Sequence, residues 1–268
     1  MSPLPLAFNI PLLTPLWNDV VLKYLMEALK AIWVQVGDLG LAIILLTVVL
    51  RIIIIPLTWK QTKSMFELQQ IQPKLKELQE KYKNDKEKLQ EKTMAFYQEN
   101  KVNPFGGCLP LLLQMPIFIA LFTVLRENVP NYIKTMPVLE QAAAKQFWVV
   151  IPDLTQTPGQ VWALWYAAPA THALSAASYG MGPALLHVFP YALFVVLFGL
   201  SVWLPQYLLT KDPVQRRTGS YMAVMMLWFG WISPAGVLLY WVTSSAWQVV
   251  QQQITTNMIT RSQEAGAK

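Results

Sequence analysis

Charge, cysteine and histidine are all scarce in this sequence. Only 13% of its 268 residues are Asp, Glu, Lys or Arg, and 54% are hydrophobic. Soluble domains run nearer about a quarter charged, and the apolar runs here reach bilayer length, which argues against a soluble fold. A single cysteine, Cys108, excludes an internal disulfide. It also lies too far from the N-terminus to be a lipoprotein acceptor. Two histidines, His172 and His187, are too few for a metal site by themselves. No glycine-rich nucleotide loop is present, so no cofactor is expected. The apolar runs hold neither paired aspartates nor a nucleophile with a base, which excludes an intramembrane protease. No Lys or Arg precedes Lys23, so a secretory signal of the usual form is not expected.

What remains is an all-α polytopic membrane protein. Residues 1–37 read as a tail and an amphipathic helix, followed by a first span at 38–59 and a helical hairpin at 60–104. A second span at 105–126 leads to a long loop at 127–183. The third span, 184–210, is joined by a short loop, 211–218, to the fourth, 219–233; the fifth, 234–253, ends in a tail, 254–268. A sixth crossing at Val161–Ala177 would contain Pro169 and His172 and would place Lys211, Arg216 and Arg217 on the wrong side. The fourth span is short, about 22 Å for fifteen residues, against a hydrocarbon core of about 30 Å.

The net charge of +6 is distributed by topology, not as a nucleic-acid surface. Ten lysines face seven acidic residues from Lys60 to Lys101; Lys211, Arg216 and Arg217 separate the third and fourth spans; Arg261 and Lys268 follow the fifth. Five crossings put all three groups on one side, and positive charge marks that side as cytoplasmic. The N-terminus is then outside and the C-terminus inside.

Asp19, Lys23, Glu27 and Lys30 form a polar stripe, with Trp17, Val20, Val21, Tyr24, Ala28 and Ile32 away from it. This suits a helix lying in the membrane interface, or one packed on the rest of the protein. In the hairpin, Leu68, Ile71, Leu75, Leu78 and Tyr82 form a seam that breaks at Lys83-Asn84-Asp85 and resumes at Leu89, Thr93 and Phe96. Pro73 marks a kink or restart before it. The basic hairpin suits docking to a ribosome, targeting machinery or anionic headgroups, and equally a plain solvated coiled coil.

Arg51 is the one fully charged side chain within the apolar stretches of the spans. An arginine in hydrocarbon costs roughly 2.5–3.5 kcal/mol on insertion scales, and a guanidinium cannot escape by losing its proton. Either it snorkels toward Lys60, nine residues and roughly 13 Å away, or the protein holds a wet, polar place there. The second reading is preferred because the reach is long. Thr47, one turn from Arg51, Gln114, Gln206, Trp241, Thr243 and Ser244 are weaker candidates for the same place, each equally suited to an interhelical hydrogen bond or interfacial anchor.

The stretch Asn103-Pro104-Phe105-Gly106-Gly107-Cys108-Leu109-Pro110-Leu111-Leu112-Leu113-Gln114-Met115-Pro116-Ile117-Phe118-Ile119-Ala120-Leu121 closely resembles the second core span of the YidC family of membrane-protein insertases. Arg51 with Pro56-Leu57-Thr58, Ile151-Pro152-Asp153-Leu154, and Ser233-Pro234-Ala235-Gly236-Val237-Leu238-Leu239-Tyr240-Trp241-Val242 agree in order. The resemblance covers most of Gly40–Gln253 and departs at Thr157–Pro183, where the loop is longer than usual. It implies a short form without the large extracytoplasmic domain of some members. It implies a five-helix core around a hydrophilic groove, with Arg51 at the position of the family's groove arginine and Gln206, Trp241, Thr243 and Ser244 on its walls. It further implies a non-enzymatic insertase of a bacterial plasma membrane, with nascent membrane proteins as clients. The ribosome, targeting machinery, Sec translocon and membrane lipids are candidate partners. A small transporter or channel is the competing class, though such proteins generally need further ionisable groups or repeats that are not evident here.

Overall fold

The computed structural model describes residues 16–100, 102, 109–147, 150–167, 181–209 and 213–266. Among them all regular structure is helical, apart from one isolated bridge between Phe147 and Ile151. A π-helical stretch, Leu16–Leu22, leads into α1 (Lys23–Val36). Then come α2 (Leu39–Ile53), α3 (Ile55–Lys81), α4 (Lys86–Glu99) and α5 (Leu109–Thr123). The long connection carries a π-helical stretch, Val124–Asn128, and short helices α6 (Val129–Ile133), α7 (Val138–Ala144) and α8 (Pro158–Ala167). The chain closes with α9 (Met181–Leu209), α10 (Pro213–Ile232) and α11 (Ala235–Gly266). Contacts divide it into two units, residues 1–50 with 118–247 and residues 51–117 with 248–268.

In the first unit, α1 ends where sequence chemistry says it should. Gly37 adopts φ 72°, open to glycine at no steric cost, and its N–H closes on the Trp33 carbonyl at 2.8 Å. Asp38 then caps α2, its carboxylate accepting from the Leu41 N–H at 2.8 Å. The face that α1 buries is Leu22, Met26, Leu29 and Trp33, and Trp33 meets the Tyr132 ring edge-on at 6.1 Å. This helix therefore does pack on protein, but through a different face from the one singled out in the sequence. Val20, Val21 and Tyr24 stay exposed on the opposite side.

The long connection is fastened to α9 and to the start of α11. The Tyr191 hydroxyl donates to the Asp153 carbonyl at 2.9 Å and accepts from the Asp153 N–H at 3.1 Å. A helix start leaves its first N–H groups without intrahelical partners. Here Ala235 N–H donates to the Gln156 carbonyl at 3.0 Å, and Gly236 N–H to the Leu154 carbonyl at 2.9 Å. Between α9 and α10 the contact runs over two glycines. A Cβ on Gly199 would collide with Leu227, and one on Gly230 would come within 3.0 Å of Phe198. Small residues let apolar helices approach in this way.

In the second unit, α3 and α4 are consecutive helices separated by Tyr82–Asp85. Asp85 caps α4, its side chain accepting from the Lys88 N–H at 3.1 Å. The helix does not restart at Pro73, which lies inside the continuous helix Ile55–Lys81. The break falls at Ile54, just before Pro56, and α2 and α3 meet there at 66°. Pro56 explains it, because its ring displaces the carbonyl four residues earlier and it offers no N–H. Two helices also exceed their predicted spans: α10 has 20 residues and α11 has 32. Among the described residues no single helix is long and apolar enough to cross a membrane; the bent pair α2–α3 is, taken together, and Val188–Leu204 is a shorter apolar stretch.

Tyr191→Phe should leave the Asp153 N–H without its hydroxyl acceptor. The expected loss is about 1–3 kcal/mol, read as a lower unfolding midpoint in detergent; an unchanged midpoint would show that the fastening adds no stability.

Candidate functional site

The site begins with a charge in an apolar helix. Leu39–Ile53 is helical because leucine, isoleucine and valine fill every turn and their burial favours it. Arg51 interrupts that run in its last turn. Only 6% of Arg51 is exposed, and its Nη2 donates to the Gln114 Oε1 of α5 at 3.2 Å. The two residues are 63 positions apart in the chain. A hydrogen bond involving an ionised group contributes about 1.5–3 kcal/mol. Gln114 offers this acceptor from a neutral amide.

Polar groups continue along the same unit. Thr58 Oγ1 lies within bonding distance of the Ile54 and Ile55 carbonyls, at 3.1 and 3.0 Å, next to the Pro56 break. Gln251 of α11 donates its Nε2 to that hydroxyl. Gln61 of α3 and Thr255 of α11 are buried, at 3% and 1% exposure. Sequence reasoning missed Thr58, Gln61, Gln251 and Thr255. Their signal was periodic: Thr58 with Gln61, and Gln251 with Thr255, are spaced three and four apart and so share a helix face.

The remaining sequence candidates lie in the first unit. Thr47 is buried, its Oγ1 donating to the Ile43 carbonyl of its own helix at 2.6 Å. Ser244 is buried, and Thr243, half-buried, donates to the Leu239 carbonyl at 2.8 Å. Hydroxyls bonded this way are accommodated within a helix. Gln206 belongs to α9, but its side chain lies outside the described residues, as do Cys108 and Trp148.

Trp241 stands in an aromatic cluster. Its ring meets Phe118 at 5.0 Å and Phe198 at 5.4 Å, both edge-on. Phe229 joins Phe118, Phe122 and Phe198 at 6.1–6.5 Å. These rings come from α5, α9, α10 and α11, so the cluster ties four helices together. Edge-to-face pairs contribute about 0.5–1.5 kcal/mol beyond burial.

Residues 31–263 fit the family described as 60Kd inner membrane protein. The membrane protein insertase YidC of Fusobacterium nucleatum is 36% identical over 219 residues, covering 81% of this chain and 85% of that one. The YidC of Cellvibrio japonicus is 33% identical over 252 residues, covering 92% of this chain and 37% of its own. A solved structure titled "Active YidC insertase crystal structure with the first transmembrane domain resolved" superposes with a TM-score of 0.59 at 26% identity, over 89% of this chain and 46% of that one. The chain therefore belongs to the 60Kd inner membrane protein family, the YidC relatives included. It spans a little over a third of the Cellvibrio relative and most of the Fusobacterium one.

Trp241→Ala should remove the ring from two edge-on contacts and cost about 3–5 kcal/mol, whereas Thr243→Val should cost far less. Thermal unfolding of both variants in detergent checks this; equal losses would mean the ring cluster is not the tie between helices.

Proposed function

We propose that the chain is a membrane-protein insertase, without enzymatic chemistry, that moves apolar segments of nascent proteins from the cytoplasm into the bilayer. The Arg51–Gln114 pair carries this reading, since it places an un-neutralisable charge and an amide inside apolar helices. Exposed apolar residues support a lipid surround: Phe189, Val196, Val224 and Trp228 would be poorly placed facing water. On this reading α2, α5, α9, α10 and α11 supply five spans, with the N-terminus outside and the C-terminus cytoplasmic, as the basic loops require. The location is a bacterial inner membrane. The α3–α4 hairpin stands in the cytoplasm and serves delivery from ribosome, targeting machinery or Sec translocon.

The mechanism is electrostatic and then hydrophobic. Water and Arg51 receive the polar or acidic tail of a client, with Arg51 attracting its carboxylates through charge-assisted hydrogen bonds. Hydration around Arg51 shortens the apolar distance still to be crossed. The client's apolar segment leaves sideways into lipid, favoured by roughly 25 cal/mol per Å² removed from water. No nucleotide is consumed in this scheme.

Arg51→Lys should keep much of the insertion of an acidic-tailed client into proteoliposomes, and Arg51→Ala should lower it about tenfold, the worth of one charge-assisted bond. Gln114→Glu, which places a carboxylate beside Arg51, should lower it too. Protease protection of the client is the readout; full activity of both variants would remove the charge from the mechanism.

Accessibility tests the geometry separately. After Cys108→Ser, a single cysteine at Gln114 should react with a small polar thiol reagent from the cytoplasmic side and resist an impermeant reagent from outside. Reaction from both sides would favour a channel or transporter, and reaction from neither would mean a dry arginine.

A further inference from the structure

The cytoplasmic ends of α9 and α10 carry a second cluster that the insertase mechanism leaves unused. Trp203 and Tyr207 stack at 4.8 Å and 18°. The Arg216 guanidinium lies 5.0 Å from the Tyr207 ring centre. The indole N–H of Trp203 donates to the Ser220 hydroxyl at 3.2 Å, which donates to the Arg216 carbonyl at 3.1 Å. Arg217 donates its Nε to the Tyr221 hydroxyl at 3.1 Å, with its guanidinium 5.7 Å from that ring. Both arginines are exposed.

Two features say what such a cluster is suited to hold. The first is charge. Between Leu185 and Gln252 the sequence has Lys211, Arg216 and Arg217 against the one acidic residue Asp212, so an anion is favoured. Guanidinium groups bind phosphate through paired N–H donors, and the Arg217 Nε–Tyr221 bond leaves its Nη groups for an incoming oxygen. The second is continuity with an apolar stripe. From Arg217 the same helix face runs through Tyr221, Val224, Trp228 and Ile232, exposed by 63%, 67%, 67% and 48%. The opposite face, with Ala223 and Gly230, is buried, Gly230 close beneath Phe198. Charge meets apolar surface end to end along about four turns of one helix. A molecule with phosphate at one end and acyl chain at the other matches both.

We propose that Arg216 and Arg217, set by Tyr207, Tyr221 and Trp203, bind the phosphate of an anionic phospholipid in the cytoplasmic leaflet, with an acyl chain along Val224, Trp228 and Ile232. The site rests on the reading that α9 and α10 cross the membrane. A nucleic-acid phosphate would use the arginines but not the stripe, which is why the lipid is favoured.

The test uses the full chain reconstituted in phosphatidylcholine vesicles carrying trace spin-labelled phosphatidylglycerol or spin-labelled phosphatidylcholine. Electron paramagnetic resonance gives the fraction of each label held at the protein. The wild type should prefer the anionic label by up to about thirtyfold, the expected effect of two basic groups near a surface. Arg216→Gln with Arg217→Gln should bring the preference close to one, and the paired lysine variant should retain part of it. Tyr221→Phe, which releases Arg217 without changing charge, should give an intermediate value. Retention of the glutamine variant in vesicles through alkaline extraction verifies that it is inserted. An inserted glutamine variant with undiminished preference overturns the site and leaves the insertase reading standing. Loss of ribosome binding with unchanged lipid preference also overturns it and assigns the arginines to nucleic acid. Wild-type protein that alkali strips from the vesicles would instead overturn the transmembrane reading on which the site rests.

Discussion

A guanidinium in an apolar helix is the constraint around which the rest of this protein is arranged. It keeps its proton at cellular pH, so the structure must supply acceptors, water or both. Gln114 of α5 supplies one acceptor at 3.2 Å. It is a neutral one, and that choice matters. An amide accepts from the arginine without adding a negative charge of its own. Pro56, five residues on, contributes a second polar feature: at the break the Thr58 hydroxyl donates to the Ile54 carbonyl, and Gln251 donates to that hydroxyl.

The first unit answers a different demand, which is rigidity. Its long connection is not a loose loop. Asp153 is held by Tyr191, and the Leu154 and Gln156 carbonyls complete the start of α11. Each bond satisfies a backbone group that would otherwise cost free energy once removed from water. The aromatic cluster around Phe118, Phe198, Phe229 and Trp241 adds packing between four helices. Trp241 thus has a structural role in this packing.

Several readings were available from residue pattern alone. The hairpin turn at Lys83-Asn84-Asp85 follows from the interrupted apolar seam and an acidic cap, and the structure caps α4 with Asp85. The Ser233-Pro234 turn separates α10 from α11 as proline chemistry requires. No new helix starts at Pro73, because proline is a probable and not a certain helix break, and the break between helices falls before Pro56. On α1 and the π-helical stretch before it, the apolar residues Val20, Val21 and Tyr24 stay exposed, and a second apolar face packs on protein. The helix has two apolar faces flanking the polar stripe, and periodicity cannot say which of two meets protein.

The sequence by itself determined that the chain is helical and apolar, that Arg51 is its isolated charge, and that its motifs resemble those of the YidC family. Those properties are local, fixed by composition, by spacing along one helix and by contiguous motifs. Only the tertiary structure decided that Arg51 meets Gln114, that Gln251 reaches Thr58, and that Tyr191 holds Asp153, pairs separated by 63, 193 and 38 positions. Side chains so far apart are brought together by helix packing, and packing depends on the summed shape of many apolar contacts, which no single stretch of sequence encodes.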